Sequence, residues 1–312
     1  MKILFFGGTG LIGSNFYQYC KNKNFNFDLI SRNKPNFELR NKDRWIFFDI
    51  LKNRKINLSK NYDIVIIGTT LSANERFKKK FNKGDFYKIN NFGIGNILKH
   101  LKKINFKKLI FLSSGIVYGR YSKIKPKEDS EIKFFKKDKL NEYSISKKNA
   151  EEKVLSFCYK MNKDFLILRI FSLIDFRINE SNFGYVINLF LQSAKKKNII
   201  NILGNPHNKI SYLDINTFNS IFIKLFNRKY KNFTLNIGSD KAISILELAE
   251  IIAKIFKKKN KIKIKLSKSH RSETFYVPNI FKLKKKIKNF KPLSIEKICK
   301  KILIESNLII SK

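Results

Sequence analysis

Residues 2–13 read KILFFGGTGLIG, and the order of residue types within them decides the fold. Ile3, Leu4, Phe5 and Phe6 form a short apolar run of the kind buried on both faces of a parallel sheet. Gly7, Gly8, Thr9, Gly10 and Gly13 follow at once, and an amphipathic segment from Leu11 to Cys20 follows them. A strand, a glycine-rich turn and a helix in direct succession hold a dinucleotide pyrophosphate at the helix N-terminus. Glycine allows the sharp turn and lets phosphate oxygens approach without meeting a Cβ. The expected contacts are Gly7, Gly10 and Gly13, with Leu11 and Ile12 of the first helical turn.

The pattern repeats outward from this unit. Strand-like runs at Phe27–Ile30, Trp45–Phe48, Asp63–Ile67, Leu109–Leu112 and Leu166–Phe171 alternate with helical patterns, notably Phe86–Lys103 and Asn141–Tyr159. Apolar strands alternating with helices predict an α/β fold of Rossmann type, a doubly wound parallel sheet covered on both faces. Beyond residue 172 the alternation loosens. Phe183–Lys195, Thr217–Asn227, Ser244–Phe256 and Ser294–Ser306 read as helices, and Ile210–Ile215 reads as a strand. We therefore expect a dinucleotide-binding domain over 1–172, with a sheet contribution from about 209–216, and a smaller, mainly substrate-binding lobe over 173–312.

Composition bounds the function. The chain has 312 residues, is 43% hydrophobic and carries a formal net charge of +42. Such a charge suits a polyanion, yet the 66 basic residues are 56 Lys and 10 Arg, spread over the whole length. Base and phosphate readers favour the planar fork of Arg, so specific nucleic-acid recognition is not expected. No apolar run approaches the roughly 20 residues of a membrane span, and the start of the chain lacks a signal-peptide pattern. Cys20, Cys158 and Cys299 are few and far apart, which fits reduced thiols in the cytoplasm. His100, His207 and His270 are isolated, and no metal site is expected.

The chemistry gathers after the fifth strand. Leu109–Gly119 reads LIFLSSGIVYG, so a buried strand runs straight into Ser113 and Ser114. Ligands of open α/β sheets sit beyond the carboxyl ends of strands, which places both serines at the cofactor. Residues 143–147 read YSISK at the start of a helix. Tyr143 and Lys147, four apart, share one helical face, and an ammonium near a phenol favours the phenolate. The spacing alone proves little in so lysine-rich a chain, since it also occurs at Tyr17/Lys21, Tyr19/Lys23, Tyr121/Lys125 and Tyr159/Lys163. Only Tyr143 combines a following helix with an upstream strand and serine turn.

At the end of the second strand, an acid would bind a ribose 2′-hydroxyl and favour NAD(H). Ser31 and Arg32 stand there instead. A hydroxyl and a guanidinium can hold a 2′-phosphate, which tilts the choice toward NADP(H).

Taken together, GGTGLIG at 7–13, NNFG at 90–93, SSGIVYG at 113–119, YSISK at 143–147 and LNIGSDKAISILELAEII at 235–252 resemble the extended short-chain dehydrogenase/reductases. These are the family of NAD-dependent nucleotide-sugar epimerases and dehydratases. The resemblance implies a catalytic triad of Ser114, Tyr143 and Lys147. It implies that Asn90 supports the site and that Asp49, with Ile50, lies near the adenine. It also implies a nucleotide-diphosphate sugar as substrate and a homodimer. Residues 169–194, 211–215 and 235–245 look like a branch with 4-ketoreductases of deoxysugar nucleotides. The implied reaction is hydride transfer at the sugar 4-position, a 4-keto-6-deoxysugar reductase first, with a 4-epimerase as the alternative. A non-catalytic dinucleotide-binding or RNA-associated protein is the third reading.

The chain departs from the family in places. Gly115 and Ile116 stand where dehydratases carry an acid pair, which argues against elimination of water. Ser172 and Leu173 stand where many epimerases carry Asn, and Ile210, beside Lys209, stands where an Arg is usual. Arg271 falls near the position of a diphosphate-binding Arg. Ser172, Lys209 and Arg271 are thus the expected substrate contacts.

Overall fold

A computed structural model of the chain describes residues 1–52, 55–70, 84–119, 124–132, 141–176, 186–197, 199–256, 261–265 and 273–305. The apolar runs become β1 (Lys2–Phe6), β2 (Asn26–Ser31), β3 (Arg44–Phe47), β4 (Asn61–Ile67), β5 (Asn105–Ser114) and β6 (Asp164–Ile170). All six pair in parallel. A seventh strand, Phe233–Ile237, lies beside β6, so the sheet runs 233–237, β6, β5, β4, β1, β2, β3. The order reverses between β1 and β4. In a doubly wound sheet this reversal opens a crevice at the carboxyl ends of the strands, and the glycine turn follows β1 there.

Alternation along the strands explains why both faces are apolar. Leu4 and Phe6 of β1 pack with Val65, Ile67, Leu109, Phe111, Ile97, Leu101, Ala150 and Val154 in one core. Its helical partners are Ile94–Leu101 and Asn141–Lys160. Elsewhere Phe16, on the helix Leu11–Tyr19, packs on Phe27 of β2 and on Phe222 and Phe226.

The chain divides into two compact units. One comprises Met1–Gly119, Glu131–Ile170 and Asn219–Leu235; the other comprises Arg120–Ser130, Phe171–Phe218 and Asn236–Lys312. In the second, Ile199–Leu203 pairs in parallel with Lys261–Lys265. The helix Ile245–Ile255 begins in a capping box, with Ser244 accepting from the Glu247 N–H and Glu247 accepting from the Ser244 N–H.

The sheet contribution expected from about 209–216 is not there. That run breaks into two short strands within the second unit. Lys209–Ile210 pairs with Ile243–Ser244 and Phe275–Tyr276, and Leu213–Asp214 pairs with Leu173–Ile174. Residues 233–237 take the seventh place, since Leu235, Asn236 and Ile237 are all buried there. Among the described residues no helix is long and apolar enough to cross a membrane.

A buried acid ties β2 to β3 and β4. Asp28, 2% exposed, accepts from Arg44 Nε and Nη2 at 2.9 and 2.6 Å and from the Tyr62 hydroxyl at 2.5 Å. Burial alone would raise its carboxyl, but hydrogen bonds from Arg44 and Tyr62 hold it below the usual value. Its contribution is therefore fully present above a pH of about 4 and fades as pH falls through the lowered folded-state value. Asp28→Asn should cost about 2 kcal/mol at neutral pH. Thermal unfolding of both proteins should show the gap narrowing in acid; a gap that does not change with pH would contradict this account.

Candidate active site

The backbone at the end of β1 accepts nothing larger than glycine at two key points. Gly7 has φ +85°, and a Cβ there would lie 2.8 Å from the Thr69 nitrogen at the end of β4. A Cβ at Gly13 would lie 2.5 Å from the Gly8 carbonyl oxygen and 2.6 Å from that of Gly7. The turn therefore nests directly against the first helical turn. Gly10 caps this helix without a side-chain hydrogen bond, and no acid stands in its first turn. The first N–H groups of a helix have no intrahelical acceptor, so those of Leu11, Ile12 and Gly13 are available to an anion. An uncapped helix start, kept clear of side chains and of negative charge, fits a pyrophosphate.

The flanking residues fit less evenly. Arg32 is exposed, while the Ser31 hydroxyl is engaged: it donates to the Asn33 carbonyl at 2.7 Å and accepts from the Trp45 indole at 2.9 Å. Ser31 thus has no proton left for a 2′-phosphate. Asp49, half-buried, accepts from the Leu51 N–H at 3.0 Å. Ile50 is buried, and its carbonyl accepts from Asn96 at 2.8 Å.

Ser114 lies at the end of β5 and caps the short 3-10 turn Gly115–Tyr118, accepting from the Ile116 N–H at 3.3 Å. The helix Asn141–Lys160 opens beside it, and its Ser144 hydroxyl donates to the Ile116 carbonyl at 2.7 Å. Tyr143, 7% exposed, packs its ring on Phe86 at 5.3 Å. One turn along, Lys147 is 1% exposed; its ammonium donates to the Leu112 carbonyl at 3.0 Å and sits 4.6 Å from the centre of the Phe111 ring. Burial lowers the Lys147 ammonium to about 8, and the nearby negative charge of Glu151 opposes that fall.

Asn90 reaches the same helix from the other side. It lies in a π-helical segment, Lys88–Gly93, a local widening that favours functional sites. Its side chain accepts from Thr70 at 3.0 Å and donates to the Ser146 hydroxyl at 3.1 Å. Ser146 in turn donates to the Tyr143 carbonyl at 2.8 Å. Ser114, Tyr143, Lys147 and Asn90 therefore lie in one unit on elements bonded to each other.

Of the competing Tyr-x-x-x-Lys pairs, two are placed differently from Tyr143. Tyr17 is buried and donates to Asp43 at 2.9 Å, Tyr159 is 72% exposed, and Tyr121 lies outside the described residues. Of the expected substrate contacts, Ser172 and Lys209 belong to the second unit, and Arg271 lies outside the described residues. The Ser172 carbonyl accepts from the Leu213 N–H at 3.1 Å, and Lys209 is exposed.

Sequence reading missed the groups behind the site. Glu151, 1% exposed, accepts from Ser113 at 2.6 Å and from Arg169 Nε and Nη2 at 3.0 and 2.8 Å. Arg169 Nη1 donates to the Tyr118 hydroxyl at 2.6 Å. One signal was present: Glu151 follows Lys147 by four residues on the helical face that carries Tyr143.

A profile of the NAD-dependent epimerase/dehydratase family matches residues 3–238. A putative UDP-glucose 4-epimerase of Methanocaldococcus jannaschii is 27% identical over 259 residues, 80% of this chain and 81% of that protein. Two solved structures share the fold. The UDP-glucose 4-epimerase of Thermotoga maritima with UDP-glucose has a TM-score of 0.80 at 18% identity, covering 98% of both chains. The UDP-glucuronic acid 4-epimerase of Bacillus cereus with UDP-glucuronic acid and NAD has a TM-score of 0.79 at 19% identity, also covering 98% of both.

Proposed function

The chain belongs to the NAD-dependent epimerase/dehydratase family, and from that premise we propose that it acts on a nucleotide-diphosphate sugar at the 4-position. The observation that carries this reading is the buried Lys147 ammonium donating to the Leu112 carbonyl, two residues before Ser114 on β5 and one helical turn from Tyr143. The glycine turn stands at the same edge of the sheet. The relatives' names support 4-epimerisation. The stretches 169–194, 211–215 and 235–245 support 4-ketoreduction, and that form is kept as the second reading.

In this proposal Gly7, Gly10 and Gly13, with the N–H groups of Leu11 and Ile12, hold the dinucleotide pyrophosphate. When bound, the dinucleotide supplies a hydride acceptor in its oxidised form and a donor in its reduced form. Tyr143 Oη takes the proton from the sugar hydroxyl oxygen, or returns it. Ser114 Oγ bonds the same oxygen. The Lys147 ammonium, charged below a pH of about 8, lowers the cost of a phenolate at Tyr143. Asn90 holds the helix that presents them.

A preference for NADP(H) over NAD(H) rests on Arg32. Arg32→Ala should weaken NADPH binding about tenfold and leave NADH binding within about twofold. Equal losses for the two cofactors in fluorescence titrations would remove this preference. A homodimer belongs to the proposal, supported by Tyr87 and Phe92, which are 56% and 51% exposed on neighbouring helical turns. Cys20, Cys158 and Cys299 are buried and unpaired, which supports a reducing, cytoplasmic setting.

The decisive test supplies UDP-, dTDP-, GDP- and CDP-linked sugars and 4-keto-6-deoxy sugars with either nicotinamide cofactor. Conversion of one sugar to its 4-epimer on chromatography, without net loss of reduced-nicotinamide absorbance, identifies an epimerase. Net loss with a keto-sugar identifies a reductase. Neither event across the panel overturns the proposal.

A further inference from the structure

The groups behind the site are arranged as a brace. Ser113 of β5 and Arg169 of β6 are register partners, so their side chains leave the same face of the sheet. Both bond Glu151 on the facing helix, and the carboxylate uses both oxygens to receive them. The guanidinium then turns its remaining edge to Tyr118, donating at 2.6 Å and lying 4.8 Å from the centre of that ring. Tyr118 closes the turn that Ser114 opens. Ser114 is thus held from both sides: Ser113 is tied to Glu151, and Tyr118 is tied to Arg169. The helix that supplies Glu151 also carries Tyr143 and Lys147.

Burial makes this costly. Glu151 and the Arg169 side chain are 1% and 7% exposed, and apolar residues of similar volume commonly stabilise a core as well as a buried ion pair does. Stability alone is a poor reason for such a pair, whereas fixing one geometry is a better one.

We propose that Glu151 is a positioning residue of this site, setting Ser114 against Tyr143 through Ser113 and Arg169 and keeping Lys147 charged in its buried position. This rests on the reading of Ser114, Tyr143 and Lys147 given above. Among the described residues, the charged and titratable groups around Lys147 are few. Tyr143 and Glu151 lie on its own helix; Arg169 of β6 pairs with Glu151, and Tyr118 of the 3-10 turn bonds Arg169. From β5 it meets only the Leu112 carbonyl and the Phe111 ring. Glu151 is therefore the nearby negative charge that opposes desolvation of the ammonium.

The test compares the full-length protein with E151Q and S113A, each also made with Y143F. E151Q should lose at least about tenfold in kcat while KM stays within about twofold. Its alkaline limb should move to lower pH, since Lys147 then surrenders its proton more easily. S113A keeps the ion pair; it should lose about threefold or more in kcat with the alkaline limb unmoved. The Tyr143 phenolate is read without substrate, from the near-ultraviolet absorbance of each protein minus its Y143F counterpart. The phenolate curve of E151Q should be displaced from that of the wild type, since the Glu151 charge is gone and Lys147 loses its proton earlier.

Wild-type kcat and an unmoved alkaline limb in E151Q would overturn the inference. If E151Q does not fold, S113A with wild-type kcat would overturn it. If the wild type turns over no sugar in the panel, the enzymatic reading fails by itself. The phenolate titration then decides alone, and identical curves for wild type and E151Q would refute the positioning role.

Discussion

Tyr143→Phe should lower turnover by about a thousandfold, the scale of a lost general acid–base group, with little change in dinucleotide affinity. The ring remains, and with it the packing on Phe86 at 5.3 Å, so the helix Asn141–Lys160 keeps its place. In the proposed reaction only the group that would exchange a proton with the sugar oxygen is removed, while the Ser114 hydroxyl and the Lys147 ammonium are left in place. Turnover is measured with the substrate the panel identifies and affinity by fluorescence titration of the cofactor. Near-normal turnover would remove Tyr143 from the chemistry. A parallel loss of cofactor affinity would mean that the hydroxyl serves the dinucleotide, not the sugar.

Gly13→Ala should have the largest effect on cofactor binding. Its new Cβ would lie 2.5 Å from the Gly8 carbonyl oxygen, and backbone, unlike a long side chain, cannot swing aside. Either the helix start or the glycine turn must move. Moving the helix start withdraws the N–H groups of Leu11 and Ile12 from the anion; moving the turn disturbs Gly7, already at φ +85° against Thr69. Overpacking of this kind costs about 1–3 kcal/mol of stability. The displaced donors should weaken dinucleotide binding by about a hundredfold, at charge-assisted bonds of roughly 1.5–3 kcal/mol each. Calorimetric titration and thermal unfolding separate the two losses. Unchanged affinity would mean that the pyrophosphate does not sit at this turn.

Much of this molecule is legible along the chain because its signals are local. An apolar run, four closely spaced glycines and an amphipathic helix lie within residues 3–20, and the six parallel strands are each a short apolar run in sequence. Tyr143 and Lys147 are legible because helical periodicity places them on one face. What escaped depends on partners distant in sequence. Ser31 reads as a phosphate ligand until Trp45 is found donating to it. Glu151 reads as one acid on a helix surface until Arg169, 18 residues on, arrives from β6. A sheet contribution is expected near 209–216 because Ile210–Ile215 is as apolar as Phe233–Ile237. Only the pairing of Lys209–Ile210 with Ile243–Ser244 separates the two. The π-helical segment left no mark at all, since periodicity averages over a single widened turn.

That segment makes the length of the chain here matter more than its composition. A π turn holds one residue more than an α turn. Deleting one residue between Lys88 and Gly93 would let the segment close into an ordinary helix, and everything before the deletion would swing by about 100° relative to Ile94–Leu101. Asn90 would then leave Thr70 on one side and Ser146 on the other. Within one protomer the Phe92 side chain, 51% exposed, adds little to the core, and its replacement should leave Asn90 in place. Its backbone is another matter: a neutral substitution at that position and a deletion at that position should have opposite consequences.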